Sequence, residues 1–117
     1  MSTLKLTLSK KPFEVMITGE KKVEYRNQSQ WMKSRLFDKH GNPRKYSYVE
    51  FVNGYGKDRP RFTVEFKGVA VVERVYQTFS NGLTVDIKEP VYMIRLGDLE
   101  LQNRNFSFKD GEKEEDK

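Results

Sequence analysis

Leu4, Leu6 and Leu8 alternate with Lys5 and Thr7, the period-two pattern of a strand with one buried face. The period then changes. Phe13, Met16 and Ile17 fall at the i, i+3, i+4 spacing of one helical face, Ser9 is a candidate cap, Pro12 fits the first turn, and Gly19 is a natural stop. The spacing predicts a short helix over Pro12–Thr18. Alternation returns at once, with Val23 and Tyr25 interleaved by Glu24 and Arg26. A second short helix is predicted over Gln30–Leu36, capped by Asn27 or Ser29, with Met32 and Leu36 on one face.

Strands dominate the remainder. Val49 and Phe51 alternate with Tyr48, Glu50 and Val52, and Phe62, Val64 and Phe66 alternate with Thr63, Glu65 and Lys67. Gly68 marks a bulge or bend in a strand expected to continue through Val69 to Val75. Ser80-Asn81-Gly82 reads as a turn before a short strand at Leu83–Ile87. Tyr92, Ile94 and Leu96, alternating with Met93 and Arg95, form the last strand. Two loops are rich in turn residues and cations, Asp38–Lys45 and the glycine-punctuated Asn53–Pro60. Two short helices in the N-terminal half and five to six strands predict an α+β fold, a small mixed barrel, closed or nearly closed.

Composition narrows the choice of chemistry. A chain of 117 residues fits one domain, expected over residues 1–107. With no cysteine there is neither a disulfide framework nor a thiolate metal site, and His40, the single histidine, is a poor metal ligand without a second one. No metal or cofactor is expected. No apolar run approaches the ~18 residues of a membrane span, and the alternating N-terminus argues against a signal peptide, so a cytoplasmic protein is the expectation. The last nine residues carry three lysines against five acidic side chains, so residues 1–108 have a formal charge of +7, against +5 for the whole chain. The acidic end, from Phe108, reads as a disordered tail. A body that basic attracts polyanions, nucleic acid foremost, although solubility alone also accounts for such a charge.

The segment Gly19-Glu20-Lys21-Lys22-Val23-Glu24-Tyr25-Arg26 concentrates the reactive residue types. It resembles the G-x-K-x-x-E-x-R signature of the ASCH domain family, within the PUA-like superfamily. The strand and helix before it, the strands after it and the closing Val91–Gly97 are similar to that family as well, so the resemblance covers roughly residues 4–100. It implies a PUA-like barrel with a cleft beside the motif and a role in binding RNA or a modified nucleotide. One branch of the family removes the acetyl group of N4-acetylcytidine, and ribonuclease activity has been proposed for others, so a small hydrolase is the alternative. In the deacetylating branch a threonine stands at the position of Glu24 and a lysine at that of Lys21. This chain lacks that hydroxyl.

On a strand, residues two apart share a face, so Glu24 and Arg26 are expected to point together, opposite Val23 and Tyr25. Lys21, just past the glycine stop, can join them. Arg26 offers a planar fork of donors to phosphate or a base edge, Lys21 a compact charge, and Glu24 an acceptor for an exocyclic amine. As an enzyme, the chain would use Lys21 and Glu24 as its acid–base pair. The competing reading is a ladder of exposed charges on a strand face, Lys22, Glu24 and Arg26, each pair contributing about 0–1 kcal/mol.

A second constellation interleaves aromatics and cations. Arg44, Lys45 and Tyr46 are candidate nucleic-acid contacts in the first loop, and Tyr55, Lys57, Arg59 and Arg61 in or beside the second. Trp31 and Phe37 are expected in the core, because a small domain needs its rings inside. No helix is predicted after the Asn53–Pro60 loop, so it is not a P-loop.

Overall fold

Strand β1 (Thr3–Leu8) buries its three leucines and turns Thr3 and Lys5 outward. Helix α1 (Lys10–Ile17) follows, starting two residues earlier than the apolar spacing implies. The Ser9 carbonyl accepts the Phe13 amide at 3.2 Å, which makes Ser9 the cap residue and leaves Pro12 in the first turn, where a missing N–H costs nothing. Strand β2 (Val23–Arg26) carries the motif and helix α2 (Gln30–Leu36) comes next. Ser29, rather than Asn27, caps α2 by accepting the Met32 amide at 3.1 Å. The computed structural model from which these elements are read describes residues 2–100; the expected disordered tail from Phe108 lies outside the described residues.

Strands β3 (Tyr48–Asn53), β4 (Arg61–Val72), β5 (Val75–Thr78), β6 (Thr84–Ile87) and β7 (Val91–Leu99) complete the order. Five strands form one sheet, β1-β3-β4-β7-β2, curled into a half-barrel with β1 parallel to β3 and the other pairs antiparallel. The architecture is therefore α+β and barrel-like. The strand expected to run through Val75 instead breaks at Glu73-Arg74. Val72 pairs with Val91, the first residue of β7, so no ladder partner remains beyond it. The chain turns away and forms a separate hairpin of β5 and β6, giving seven strands among the described residues rather than five or six. Gly68 sits at φ +118° beside the two register shifts of the β4–β7 ladder, as expected of a bulge.

Leu4, Leu6, Phe13, Phe51, Phe62 and Ile94 lie in the core between the sheet's concave face and α1. Phe62 packs edge-on to Phe13 at 5.0 Å and against Phe51 at 5.4 Å, pairings that contribute about 0.5–1.5 kcal/mol beyond area burial. Strands β1 and β2 are the two edges of the sheet. The Arg26 guanidinium bridges them, donating from Nη2 to the Thr7 carbonyl at 2.6 Å. One side chain thus joins the edges where no ladder does. Among the described residues, no helix is long and apolar enough to cross a membrane.

Candidate functional site

The site begins with how α1 ends. Gly19 adopts φ +87° and its amide bonds the Met16 carbonyl, a left-handed reversal that costs other residues about 1–2 kcal/mol. The reversal lets the Lys21 amide reach the Val15 carbonyl at 2.9 Å, while the Lys22 carbonyl already pairs with Leu96 of β7. Lys21 is held between helix and strand, and its side chain turns inward. It is 4% exposed, and Glu24 7%.

There the three motif side chains meet. Lys21 Nζ donates to Glu24 Oε1 at 3.1 Å and to the Val23 carbonyl at 2.6 Å. Arg26 Nε donates to Glu24 Oε2 at 2.7 Å. The expectation that Glu24 and Arg26 share a face and that Lys21 joins them agrees with this geometry. The exposed ladder of Lys22, Glu24 and Arg26 holds only for Lys22, since Glu24 is buried and Arg26 is turned into its contact with Glu24. Two cations share one carboxylate, so the cluster carries one net positive charge. Each oxygen of Glu24 accepts one donor and keeps capacity for another.

These groups form one wall of a cavity of about 320 Å³, within the lower range of small-ligand pockets. The opposite wall is the β5–β6 hairpin, contributing Leu83, Thr84, Val85 and Ile87. Polar contacts fix that hairpin's position. Glu20 accepts the Ser80 amide at 2.9 Å and its hydroxyl at 2.6 Å. Asn81 Nδ2 donates to the Lys11 carbonyl at 3.0 Å and to Glu14 Oε1 at 2.9 Å. Phe79, buried at the base of the turn, adds an apolar anchor.

Tyr25 also lines the cavity, with Lys21 Nζ 5.4 Å from its ring centroid. Strict alternation puts Tyr25 on the other face of β2. That strand is an edge, however, and no strand among the described residues lies beyond it to separate the two faces. Burial raises the Tyr25 phenol above its usual pKa of 10.0, and the Glu24 carboxylate adds to the effect. A larger cavity of about 450 Å³ lies on the other side of Lys21, floored by Met16, Phe62, Val64 and Leu96. Its lining lacks Glu24 and Arg26, so the site's chemistry belongs to the smaller one.

The other candidate residues are not gathered here. Tyr46 is half-buried, edge-on to Phe66 at 5.5 Å, and its hydroxyl donates to the Arg35 carbonyl. Arg44 Nε donates to the Ser34 carbonyl at 3.0 Å, and the Lys45 carbonyl accepts the Ser2 hydroxyl. These three sit near the start of β1. Tyr55, 85% exposed, and Lys57, Arg59 and Arg61 sit near its end, where the Gly54 amide bonds the Leu8 carbonyl. Arg59 and Arg61 donate to carbonyls of Asn53, Gly56 and Lys57 and so staple their own loop. The two basic loops stand at opposite ends of β3.

Trp31 departs from expectation. It is 52% exposed, with the Arg35 guanidinium 4.9 Å from its ring, whereas Phe37 packs on Tyr92 against the core. Met32 and Leu36 already occupy the buried face of α2, and Trp31 lies next to Met32 on the side facing solvent. Sequence reasoning also missed Tyr25 and the hairpin wall. The only signal for the wall was the apolar character of Leu83, Val85 and Ile87. Among the described residues, no cluster of three or more His, Asp or Glu could hold a metal. In comparisons with known proteins, no family model, no curated protein and no solved structure matches this chain.

Proposed function

We propose that this chain is an ASCH-type, PUA-like domain that binds RNA or a modified nucleotide in the cleft between β2 and the β5–β6 hairpin. The observation that carries this reading is the Lys21–Glu24–Arg26 cluster on a cavity wall, buried and with one cation in excess. Burying such a cluster costs desolvation free energy, and an anionic or acceptor-rich ligand binding at it would offset that cost. The cavity supports the same class of ligand. Tyr25, Leu83 and Val85 provide apolar surface for a planar ring, Glu24 accepts from an exocyclic amine, and Lys21 and Arg26 favour a phosphate or a carbonyl edge.

The test is a titration of short labelled RNAs, single-stranded and hairpin, at low and near-physiological salt. Wild type is compared with Lys21→Ala and Arg26→Ala. Loss of binding in both variants is expected, with affinity falling steeply as salt rises. Binding that survives both variants and responds only to salt would refute the cleft.

A second reading, a small hydrolase acting on a nucleoside or on RNA, has the direct Lys21–Glu24 hydrogen bond in its favour. Thr84 adds a hydroxyl on the facing wall, engaged with Thr78 at 3.2 Å. Turnover of N4-acetylcytidine or cleavage of RNA, abolished in Lys21→Ala, would establish it; no turnover of either removes it.

A further inference from the structure

The exposed tryptophan lies on a surface that leads out of the cleft. Asn27, four residues before Trp31, lines the cleft. From there Arg26 reaches the Thr7 carbonyl, and the outward positions of β1 continue through Lys5 to Thr3. Helix α2 borders the same edge of the sheet. Arg35, stacked on Trp31, lines a depression of about 200 Å³ together with Thr3, Lys5 and Tyr46. Beyond it Lys45 is tied to Ser2, and Arg44 is tied to the end of α2. The strip therefore runs from Arg26 past Lys5 and Arg35 to Lys45 and Arg44. The stretch Thr3–Thr7 alone spans about 13 Å at the rise of a strand.

Its charged side chains are mostly cations. Among the described residues, Lys5, Arg35, Arg44 and Lys45 form no ion pair with a carboxylate. The nearby acids border the strip. Glu50 stands beside Lys5 in the ladder, and Asp38 Oδ1 accepts the amides of His40 and Asn42. The half-exposed indole lies against Arg35, and the guanidinium over its ring makes it a flat platform with a cationic rim. An unpaired base stacks on such a platform, and a phosphate backbone follows the cations. A duplex hides its base faces, so the platform selects a single strand.

We infer that the strip from Arg26 along β1 and α2 to Lys45 seats single-stranded nucleic acid flanking a nucleotide held in the cleft, with Trp31 stacking one base. The inference rests on the cleft reading above, and it assigns the ligand's form: one residue of a strand, not an isolated nucleotide.

Trp31 is the only tryptophan, so its fluorescence reports this strip alone. The probes are the octamers rU8 and dT8, uridine monophosphate, and an RNA duplex of the same length. Affinities of the variants come from anisotropy of labelled octamers. The octamers are expected to quench Trp31 and to bind at least about tenfold more tightly than the duplex or the monophosphate. Trp31→Ala, at a half-exposed position outside the core cluster, is expected to weaken octamer binding about 5- to 150-fold, the equivalent of stacking on one base. Trp31→Phe recovers most of the loss. Comparing rU8 with dT8 reports whether the 2′-hydroxyl matters, and binding of either supports the strip.

Wild-type octamer affinity in Trp31→Ala, combined with loss in Lys21→Met, overturns the strip and keeps the cleft. Loss in Trp31→Ala with none in Lys21→Met overturns the cleft, and the flanking arrangement falls with it. No quenching by any octamer at low salt overturns the assignment and leaves the indole for a protein partner.

Discussion

Among the described residues Glu24 is the sole counter-charge to Lys21 and Arg26, which makes the cluster asymmetric under mutation. In Glu24→Gln the shape is retained, but Lys21 and Arg26 face one neutral amide. Lys21 is almost fully buried, its amide held to the Val15 carbonyl by the turn that Gly19 sets. Leaving a buried charge uncompensated costs about 3–5 kcal/mol. The lower end applies here, because the Arg26 side chain is 23% exposed and can recover some hydration. Lys21→Met acts oppositely. It leaves Glu24 paired with Arg26 at 2.7 Å and fills the buried position with an uncharged side chain of similar length. Its expected cost is within about 1 kcal/mol, because Arg26 still compensates Glu24 and no buried charge is left unpaired. Urea unfolding separates the two. With a slope of about 1–3 kcal/mol per molar, Glu24→Gln lowers the midpoint by at least about 1 M, whereas Lys21→Met scarcely moves it. The same Lys21→Met protein, folded, is expected to have lost its ligand. A Glu24→Gln protein within about 1 kcal/mol of wild type, or equal costs for the two variants, would refute the reasoning.

Tyr25 has a raised phenol pKa in the folded state. The stability this contributes is fully present below the unfolded pKa near 10.0 and is lost as pH rises through the folded value. Urea midpoints measured from pH 8 to 11 should therefore fall less steeply in Tyr25→Phe than in wild type; parallel curves would show that Tyr25 is not the linked group. Gly19→Ala meets no neighbouring atom and pays only for its positive φ, so a loss of about 1–2 kcal/mol is expected by thermal or urea unfolding. Glu20→Ala removes both bonds to Ser80; faster amide exchange confined to β5, β6 and their turn is expected, with the β3–β4 ladder unchanged. Arg26→Ala loses the bridge from β2 to Thr7 as well as the pair with Glu24, a cost of about 1.5–3 kcal/mol for each charged hydrogen bond. Unfolding measurements on this variant should precede any reading of its binding.

The local elements were legible from residue order because short-range physics sets them. Alternation in Leu4–Leu8 and Phe62–Phe66 follows from a strand burying one face, and Met32 with Leu36 follows from helical spacing. The glycine after α1 marked the reversal, and the two-residue period placed Glu24 beside Arg26. The same reasoning extended the strand of Val69 too far, since a strand ends where its partner does and β7 begins at Val91. It also buried Trp31 on composition, whereas the inward face of α2 was already filled. Long-range placement lay beyond the linear pattern. Glu20 and Ser80 are sixty residues apart, and their contact brings an otherwise ordinary hairpin over the motif as the second wall of a cavity. The bond from Arg26 to Thr7 crosses two sheet edges that no periodicity relates. Local sequence could propose the charged triad; only the tertiary structure, which brings β1 toward β2 and the hairpin over the motif, buries Lys21 and Glu24 and makes the triad one wall of a cavity.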